Sequence, residues 1–378
     1  MTYIDIHILQ SVPPSNINRD DTGSPKSAVF GGVRRARVSS QAWKRATRTR
    51  FNVTLDSNDI GYRTKRVVEQ LGDEIEKLDP TIDTPTAQGL AAKALSSADI
   101  KLATPKTPKK SSGDEAKPAK QSGYLLFLSA AQYLRLAELA VAAHREGTTV
   151  KSKDAKGAIN SDHSFDVSLF GRMVADDAEL NVDAAAQVAH AISVHAVEPE
   201  FDYFTAVDDL QERDQETGAG MIGTVEFNSS TLYRYATLNI AGLQHNLNDA
   251  AATARAAAAF VESLSLSMPT GKQNTFANRT VPDAIVVCIR PDQPVNLVGA
   301  FETPVTATDS ESIVRRAASK LVARHEDVAR AYGAPTAIWV TGIGDAAAAL
   351  DGFGEHTDIA SLVGKVEQFV GDHLGERE

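Results

Sequence analysis

The sequence predicts an α+β fold, and three observations support that class. Segments with the two-residue period of strands and segments with the 3.6-residue period of helices intermix without the regular strand–helix alternation of a doubly wound sheet. No internal repeat is visible. The composition, 42% hydrophobic and 23% charged over 378 residues, is that of a chain that buries a core. There is no apolar run of ~18 residues and no basic-apolar leader, so we expect a cytoplasmic protein without membrane association.

The first 58 residues hold the most clearly patterned elements. Residues 3–10 alternate apolar and polar side chains and predict a half-buried strand. Residues 11–26 are rich in Pro, Asn, Asp, Gly and Ser and predict a long loop. A short strand at 35–39 then leads into a helix that is capped by Ser39 or Ser40 and ends near Phe51.

The rest of the chain alternates less regularly. From 59 to 174, Ala-rich segments predict helices, interrupted at 101–120 by a Lys/Pro-rich loop that we expect to be mobile. An arm that carries acids, glycines and exposed aromatics is expected at 198–227, between two strands. The other predicted elements are strands at 187–197, 230–240, 283–290 and 336–342 and helices at 248–267 and 310–333.

The charge of the chain is unevenly distributed. Residues 19–50 contain nine Arg or Lys side chains and two Asp, a net +7, whereas the whole chain carries −10, which leaves −17 for the rest. A local basic segment on an acidic chain is typical of a polyanion-binding site. Within it, Ser39 and Gln41 lie at the positive end of the predicted helix, and Lys44 and Arg48 share one helical face.

Cofactor and cysteine chemistry is poorly supported. The single cysteine, Cys288, lies in an apolar run, which excludes disulfide frameworks, Cys-based zinc sites and CxxC motifs and predicts a buried thiol. The glycine-rich segments AVFGGVRR and GAGMIG lack the spacing of a phosphate-binding loop. We therefore predict no cofactor.

The candidate metal ligands are weak as well. His190 and His195 are five residues apart, so in a strand they face opposite sides and cannot share an ion; packing or local hydrogen bonding is the simpler role. The pair Asp208 and Asp209 has no ligand spacing. Asp20 and Asp21 fit two roles, holding Mg²⁺ near a phosphate or capping their own loop in an Asx turn.

Six motifs in order carry a resemblance to a known family: NINRDD, AVFGG, RRARVSSQAWKRA, HAISVH, DYFTAVDDLQE, and GTVEF followed by YRYATLNI. With them the chain resembles the CasC-type (Cas seven family) backbone subunit of the type I-E CRISPR Cascade complex. The match runs through residues 1–60 and 165–270 and is weaker elsewhere. The Lys/Pro-rich segment 101–120 matches no family motif, so its role stays open.

The resemblance implies a fold and a division of the chain. It implies an RRM-like (ferredoxin-like) palm with a helical fingers insertion and a protruding thumb hairpin. The palm would comprise 1–58, 175–195 and 227–378, the fingers 59–174 and the thumb 196–226.

The resemblance also implies a function in antiviral defence. Many copies would polymerise head to tail as a helical filament along the CRISPR guide RNA (crRNA), and the thumb of each copy would displace one guide nucleotide at regular intervals. Target DNA would pair with the guide in interrupted segments. The expected partners are guide RNA, target DNA through the guide, other copies of the chain, and the large, small, guide-processing and end-capping Cascade subunits. No catalytic residue is implied, so we expect no enzymatic activity.

Residue by residue, the resemblance assigns RNA contacts to two groups. The backbone contacts of the family fall on Arg19, Lys26, Ser39, Gln41, Lys44 and Arg48. Met173, preceded by Arg172, corresponds to an apolar wedge beside the displaced nucleotide, with an ordinary core methionine as the alternative. Phe204 and Thr205 fall on the thumb, where Phe204 would stack on a base or anchor the thumb on a neighbouring subunit.

Two other functions stay open from sequence. One is a metal-dependent ribonuclease of a CRISPR effector that uses Asp20 and Asp21. The other is a basic scaffold that binds only protein.

Overall fold

The N-terminal segment is the central strand of a large sheet in the computed structural model, which describes residues 1–105, 118–206 and 221–376. This strand, β1 (Tyr3–Ser15), is longer than predicted and continues through Pro13 and Pro14. Its register against the neighbouring strand is regular up to Val12 and shifts before Ser15. The two prolines, which have no N–H to donate, therefore lie at an irregularity in the ladder, and the predicted loop begins only after Ser15.

Within the described residues, strands and helices intermix as the α+β class requires. The other strands are β2 (Ser27–Phe30), β3 (Val33–Val38), β4 (Gly61–Thr64), β5 (Leu102–Ala103), β6 (Gln121–Ser122), β7 (Leu126–Ser129), β8 (Ala186–Val188), β9 (Ala191–Ser193), β10 (Glu200–Ala206), β11 (Met221–Asn239), β12 (Ala284–Arg290), β13 (Ala337–Gly342) and β14 (Glu355–His356). The helices are α1 (Ser40–Thr54), α2 (Val67–Leu78), α3 (Thr84–Ser97), α4 (Ala130–Arg145), α5 (Ser152–Ile159), α6 (Phe165–Phe170), α7 (Ile240–Leu247), α8 (Ala250–Leu266), α9 (Gln273–Phe276), α10 (Ile313–Tyr332), α11 (Gly344–Ala349) and α12 (Ile359–Gly375).

Ten of the described strands form one sheet. Its main path is β14–β13–β12–β1–β11–β9–β3–β2, and β8 and β10 also pair with β11. β1 is antiparallel to both of its neighbours, β11 and β12. Two small two-stranded sheets, β4 with β7 and β5 with β6, lie outside it.

The chain divides into two units. The sheet unit comprises Met1–Arg50, Gln187–Ile240 and Ala257–Asp372. The helical unit comprises Phe51–Ala186, Ala241–Ala256 and the described end of the chain from His373. This division into two units does not test the palm, fingers and thumb boundaries expected from sequence, which stay a prediction.

The sheet unit buries different side chains on the two faces of β1. Ile4, Ile6 and Ile8 are fully buried on one face. On the other face Asp5 accepts a hydrogen bond from the Tyr235 hydroxyl at 2.9 Å and pairs with Arg290 at 3.4 Å. Buried carboxylates are stable only when they are hydrogen-bonded, and Asp5 also accepts from the Val295 N–H at 2.8 Å. The predicted burial of the Cys288 thiol is confirmed.

The helical unit has a core of its own. Leu71 and Ile75 of α2 pack with Leu95 of α3 and Leu136 of α4. α4 begins with a capping box in which the Ser129 and Gln132 side chains each bond the other residue's backbone N–H. Apolar burial thus stabilises this insertion internally.

Two sequence expectations need correction. The strand predicted at 187–197 is split into β8 and β9, and His190 lies between them with an exposed side chain. The helix expected to end near Phe51 continues to Thr54.

Residues 106–117 of the Lys/Pro-rich segment lie outside the described residues, so its expected mobility stays a prediction. No helix in the described ranges is long and apolar enough to cross a membrane.

Candidate nucleic-acid interface

Two asparagines of the NINRDD motif fix the loop at 16–26. Asn16 donates from Nδ2 to the carbonyl oxygens of Gly23 and Glu226, each at 2.9 Å. The Asn18 side chain accepts from the backbone N–H of Ser39 at 2.8 Å, and its carbonyl accepts from the N–H of Lys26 at 2.9 Å. The loop is therefore tied to the start of α1. We call the loop 16–26 and the first three turns of α1 the basic surface.

Asp20 shapes this loop from within. Its Oδ1 accepts from the Thr22 N–H at 2.9 Å, the Thr22 hydroxyl at 2.7 Å and the Ser24 N–H at 3.0 Å. These bonds, the Thr22 hydroxyl first, lower the pKa of Asp20. The geometry is that of an Asx turn, and no cluster of three or more metal-ligating side chains occurs in the part of the chain that the structure describes.

Helix α1 presents polar and basic side chains because one of its faces is anchored in the sheet unit. Trp43 is buried under the Arg234 guanidinium, 3.7 Å from the ring centroid, and Thr47 is fully buried one turn later. Gln41 is exposed on the opposite side of the helix. Lys44 and Arg48 flank the buried face and are half-buried. Partial burial lowers the pKa of Lys44, because the ammonium is less well hydrated there.

The other predicted RNA contacts on this surface, Ser39, Arg19 and Lys26, differ from one another in burial. The buried Ser39 hydroxyl accepts from the Ala42 N–H at 3.4 Å, so it caps α1. Arg19 is exposed at the edge of the loop, and Lys26 is half-buried beside Asn18. The loop–helix tie brings Lys26, Ser39 and the first turns of α1 together, while their contact with RNA stays a prediction.

The charge count overstated how many cations this segment presents. Arg35 is fully buried and donates to the carbonyls of Phe30, Ser193, Phe301 and Glu302 at 2.8–3.2 Å. Other cations of the segment have partners: Arg50 with Glu262 at 3.3 Å, Arg34 with Glu198 at 3.9 Å and Arg37 with His190 at 3.2 Å. Burial of Arg35 was not foreseen, because a charge count does not distinguish buried from exposed side chains.

The predicted arm contains a β-hairpin, in which β10 and β11 pair from Glu200 opposite Phe227 to Ala206 opposite Met221. Phe204 lies opposite Gly223, and a Cβ added at Gly223 would lie 2.5 Å from the ring, so glycine leaves room for it. Phe204 is 37% exposed and Thr205 is exposed. Asp208 and Asp209 and the GAG of GAGMIG lie outside the described residues.

The sequence predicted exposed aromatics in this arm but assigned no contact to two of them, Phe201 and Tyr203. Phe201 and Tyr203 are both more than half exposed, and strand alternation puts them on the face opposite to Phe204. The alternation of FDYF, visible in the sequence, was the signal for this.

Met173 and Arg172 lie in the helical unit and differ in solvent exposure. Met173 is 80% exposed, so the alternative of a core methionine is wrong. Arg172 is 4% exposed, and its guanidinium bonds to protein acceptors. An RNA contact by either residue stays a prediction.

The other motifs have structural roles. Gly31 and Gly32, with φ of +60° and +78°, form the tight turn between β2 and β3. His195 accepts from the Thr231 N–H through Nε2 at 3.0 Å and pairs through Nδ1 with the Ala196 carbonyl at 2.8 Å, which confirms local hydrogen bonding.

Comparison with known proteins identifies one family model and similar chains of solved complexes. The family model described as CT1975-like protein matches residues 4–365. The chain is similar to a solved chain of a "CRISPR RNA-guided surveillance complex, pre-nicking", with 31% identity and a TM-score of 0.78 over 96% of this chain and 100% of that one. A chain of a "CRISPR RNA-guided surveillance complex" matches at 26% identity and a TM-score of 0.69, over 96% and 99%. No curated protein matches.

Proposed function

Because the chain belongs to the CT1975-like protein family, we propose that it is a CRISPR RNA-binding backbone subunit of a Cascade-type surveillance complex, of type I-E. Similarity along nearly the whole length of chains from two RNA-guided surveillance complexes supports this role. The proposed assembly is a helical filament in which copies polymerise head to tail along the guide and present it for pairing with target DNA.

The observation that carries the proposal is the basic surface. Phosphate contacts need cations, amides, hydroxyls and a helix N-terminus, and this surface offers them on a chain of net charge −10. Its loop is pre-organised by the Asn18–Ser39 hydrogen bond at 2.8 Å. We propose that Arg19, Lys26, Gln41, Lys44 and Arg48 contact the RNA backbone and that Ser39, through its cap, holds α1 in place.

The finer architecture belongs to the same proposal. The sheet unit would provide the RRM-like palm, the helical unit the fingers, and the β10–β11 hairpin the thumb. On that hairpin, Phe204 and Thr205 would contact the guide of a neighbouring copy at the displaced nucleotide, and Met173 would contact it from the fingers. Aromatic stacking of this kind tolerates any guide sequence, because every base has a π-face.

The same proposal includes the partners and location. Sequence recognition would be left to pairing between guide and target, while this chain recognises backbone and shape. Head-to-tail contacts that form an open helix do not limit the number of copies, so guide length and end-capping subunits would set it. The large, small and guide-processing subunits would be the other partners. The complex would act in the cytoplasm.

We propose a non-catalytic role. The ribonuclease alternative rests on Asp20 with Asp21, and one Asp20 oxygen accepts three bonds within its own loop. Incubation of the assembled complex with complementary RNA and Mg²⁺ tests the alternative. Cleavage that is lost in Asp20→Ala or Asp21→Ala would make the chain a ribonuclease instead.

Co-purification tests the proposed function directly. We expect the chain, expressed with its neighbouring subunits, to purify with RNA of one discrete length that has repeat-derived ends and variable interiors. The absorbance ratio at 260 and 280 nm and sequencing of the retained nucleic acid measure this. A nucleic-acid-free complex that is otherwise fully assembled would contradict the proposal and favour a protein-binding scaffold.

A further inference from the structure

The segment 171–182, which we call the Met173 loop, exposes one large apolar side chain between two buried neighbours. Met173 is 80% exposed, whereas Arg172 and Val174 are 4% and 3% exposed. A large apolar side chain in water has an unfavourable solvation free energy. The backbone on both sides of Met173 is nevertheless fixed, so its exposure results from the folded structure of the loop.

The guanidinium of Arg172 holds the interior of this loop together. Its Nε donates to the Leu180 carbonyl at 2.8 Å, Nη1 to the Ile159 carbonyl at 3.2 Å, and Nη2 to the Asn160 side-chain oxygen at 3.1 Å. All three acceptors are neutral groups of the protein. Burial lowers the pKa of Arg172 to about 10, which leaves the guanidinium charged at neutral pH and dependent on these acceptors.

The backbone closes the loop beneath Met173. The N–H of Arg172 donates to the Val182 carbonyl at 3.0 Å, and the N–H of Val182 donates back at 2.8 Å. Gly171 has a φ of +77°, and a Cβ there would lie 2.8 Å from the Val182 carbonyl oxygen. On the other side of Met173, the Val174 N–H donates to the Asn181 side chain at 2.7 Å. Arg172 and Asn181 thus fix the two neighbours of Met173.

Ion pairs fix the acidic part of the loop that follows Met173. Lys156 lies 2.6 Å from Asp177 and 2.7 Å from Asp99, and Lys101 lies 3.0 Å from Asp176. Each pair offsets part of the negative charge of these carboxylates. The loop is therefore held by contacts on both sides of the exposed methionine.

We propose that Arg172 is a positioning residue: its buried guanidinium fixes the Met173 loop so that the Met173 side chain is held against a base of the bound guide RNA, and Arg172 itself does not touch RNA. This inference rests on the proposed function and replaces the RNA contact expected for Arg172. Methionine is among the apolar side chains that proteins insert at base steps, which makes a base the partner that fits it.

The test uses the assembled complex on a guide RNA of defined sequence with 2-aminopurine placed at one position at a time. Fluorescence of this base rises when it is unstacked, and it reports displacement independently of affinity. We expect the wild-type complex to show high fluorescence at regularly spaced positions. We expect Met173→Ala, Arg172→Gln and Asn181→Ala each to lower it at those positions, while Arg145→Gln, which removes an exposed arginine of the same unit, leaves it unchanged.

Salt dependence separates positioning from contact. We expect the slope of log affinity against log salt to be unchanged in Arg172→Gln. A slope reduced by about 0.7, the value for one lost phosphate contact on a single strand, would overturn the proposal. If Arg172→Gln does not fold, Asn181→Ala carries the fluorescence test, because it removes only the bond to Val174.

The other outcomes are equally decisive. Full periodic fluorescence in both Arg172→Gln and Asn181→Ala would show that the loop does not position the base. A Met173→Ala complex that keeps the fluorescence but loses subunits would make Met173 a protein contact. Each of these two results would overturn the inference about the Met173 loop but leave the proposed binding of guide RNA unaffected. A wild-type complex without RNA would overturn the proposed function together with this inference.

Discussion

The basic surface of the sheet unit and the Met173 loop of the helical unit use arginine in opposite ways. On the basic surface Arg19 is exposed, and the loop is held by Asn18 and Asp20 through bonds of 2.7–3.0 Å. In the Met173 loop the arginine is buried, and the exposed side chain is apolar. In the first region neutral or acidic groups support a cationic surface; in the second a cation supports an apolar one.

This difference shows that the role of an arginine follows from its acceptors. Arg172 bonds to carbonyl and amide oxygens of its own unit, as does Arg35 in the middle of the basic segment. A guanidinium with several buried acceptors stabilises the fold, since its removal leaves those acceptors unsatisfied. Only the cations without such burial can contribute to a surface for RNA.

The largest expected difference in the free energy of unfolding is between substitutions of two neighbouring arginines, Arg35 and Arg34. Arg35→Ala leaves four carbonyl acceptors without their donor, so we expect a loss of about 4 kcal/mol in the free energy of unfolding. Arg34→Ala removes a surface pair at 3.9 Å and should cost less than ~0.5 kcal/mol. Urea unfolding followed by tryptophan fluorescence measures both. Equal losses of stability in the two variants would show that buried and exposed arginines do not differ in their contribution to the fold.

Acid should destabilise the sheet unit more than the helical unit. Burial lowers the pKa of His7 to about 3 and of His325 to about 4 in the sheet unit, and of His163 to about 4 in the helical unit. Each folded-state pKa lies below the unfolded value of 6.5, so the stabilisation is present above pH 6.5 and is lost as pH falls toward the folded value. At pH 5 the loss is about 2 kcal/mol per histidine.

Trp43 and Trp339 both lie in the sheet unit and report its unfolding, and hydrogen exchange reports that of the helical unit. The raised pKa of Asp5, caused by burial, opposes part of the loss in the sheet unit. A helical unit that is lost first between pH 7 and pH 5 would contradict the assignment of these histidines.

A smaller effect is expected for substitutions in the β10–β11 hairpin. A methyl group at Gly223 would overlap the Phe204 ring, so we expect Gly223→Ala to mimic Phe204→Ala. Each should weaken guide RNA binding by about 1–3 kcal/mol, the range for one stacked base. Tyr332→Ala, which removes an exposed aromatic side chain on α10 of the same unit, is the matched control and should have little effect. Titration of labelled guide RNA measures all three, and an equal loss in Tyr332→Ala would contradict a stacking role for Phe204.

The smallest effect is expected where a single neutral bond supports the basic surface. Asn18→Ala removes the acceptor of the Ser39 N–H and should lower the free energy of unfolding by about 1 kcal/mol. It removes no charge, so the salt slope of RNA binding should stay that of the wild type while the affinity falls. A changed slope would mean that Asn18 does more than hold the loop.

The local pattern of the sequence predicted much of the fold. The alternation of residues 3–10, the cap at Ser39 and the long apolar–polar periods of α8 and α10 all depend on neighbouring residues, and the structure confirms them. The continuation of β1 through Pro13 and Pro14 was missed, because pairing with β11 overrides the turn preference of proline. The break at His190 was missed for the same reason, since long-range pairing sets where β8 ends and β9 begins.

The site was predictable in charge but not in burial. The surplus of cations at 19–50 located the basic surface, whereas the burial of Arg35 depends on Ser193 and Phe301, which are far away in sequence. The exposure of Met173 likewise depends on how Arg172 reaches Ile159 and Leu180. Such contacts arise only after the chain has folded and leave no local pattern.

The salt dependence of guide RNA binding tests most directly whether the basic surface holds the RNA backbone. The informative variant is Lys44→Glu with Arg48→Glu, and its control is Lys320→Glu with Arg324→Glu, a basic pair at the same spacing on α10 of the same unit. We expect the first to weaken binding equally for every guide sequence and to lower the slope by about 1.4, and the control to leave the slope unchanged. An unchanged slope in the first variant, or a loss that depends on the guide sequence, would show that the basic surface does not hold the RNA backbone.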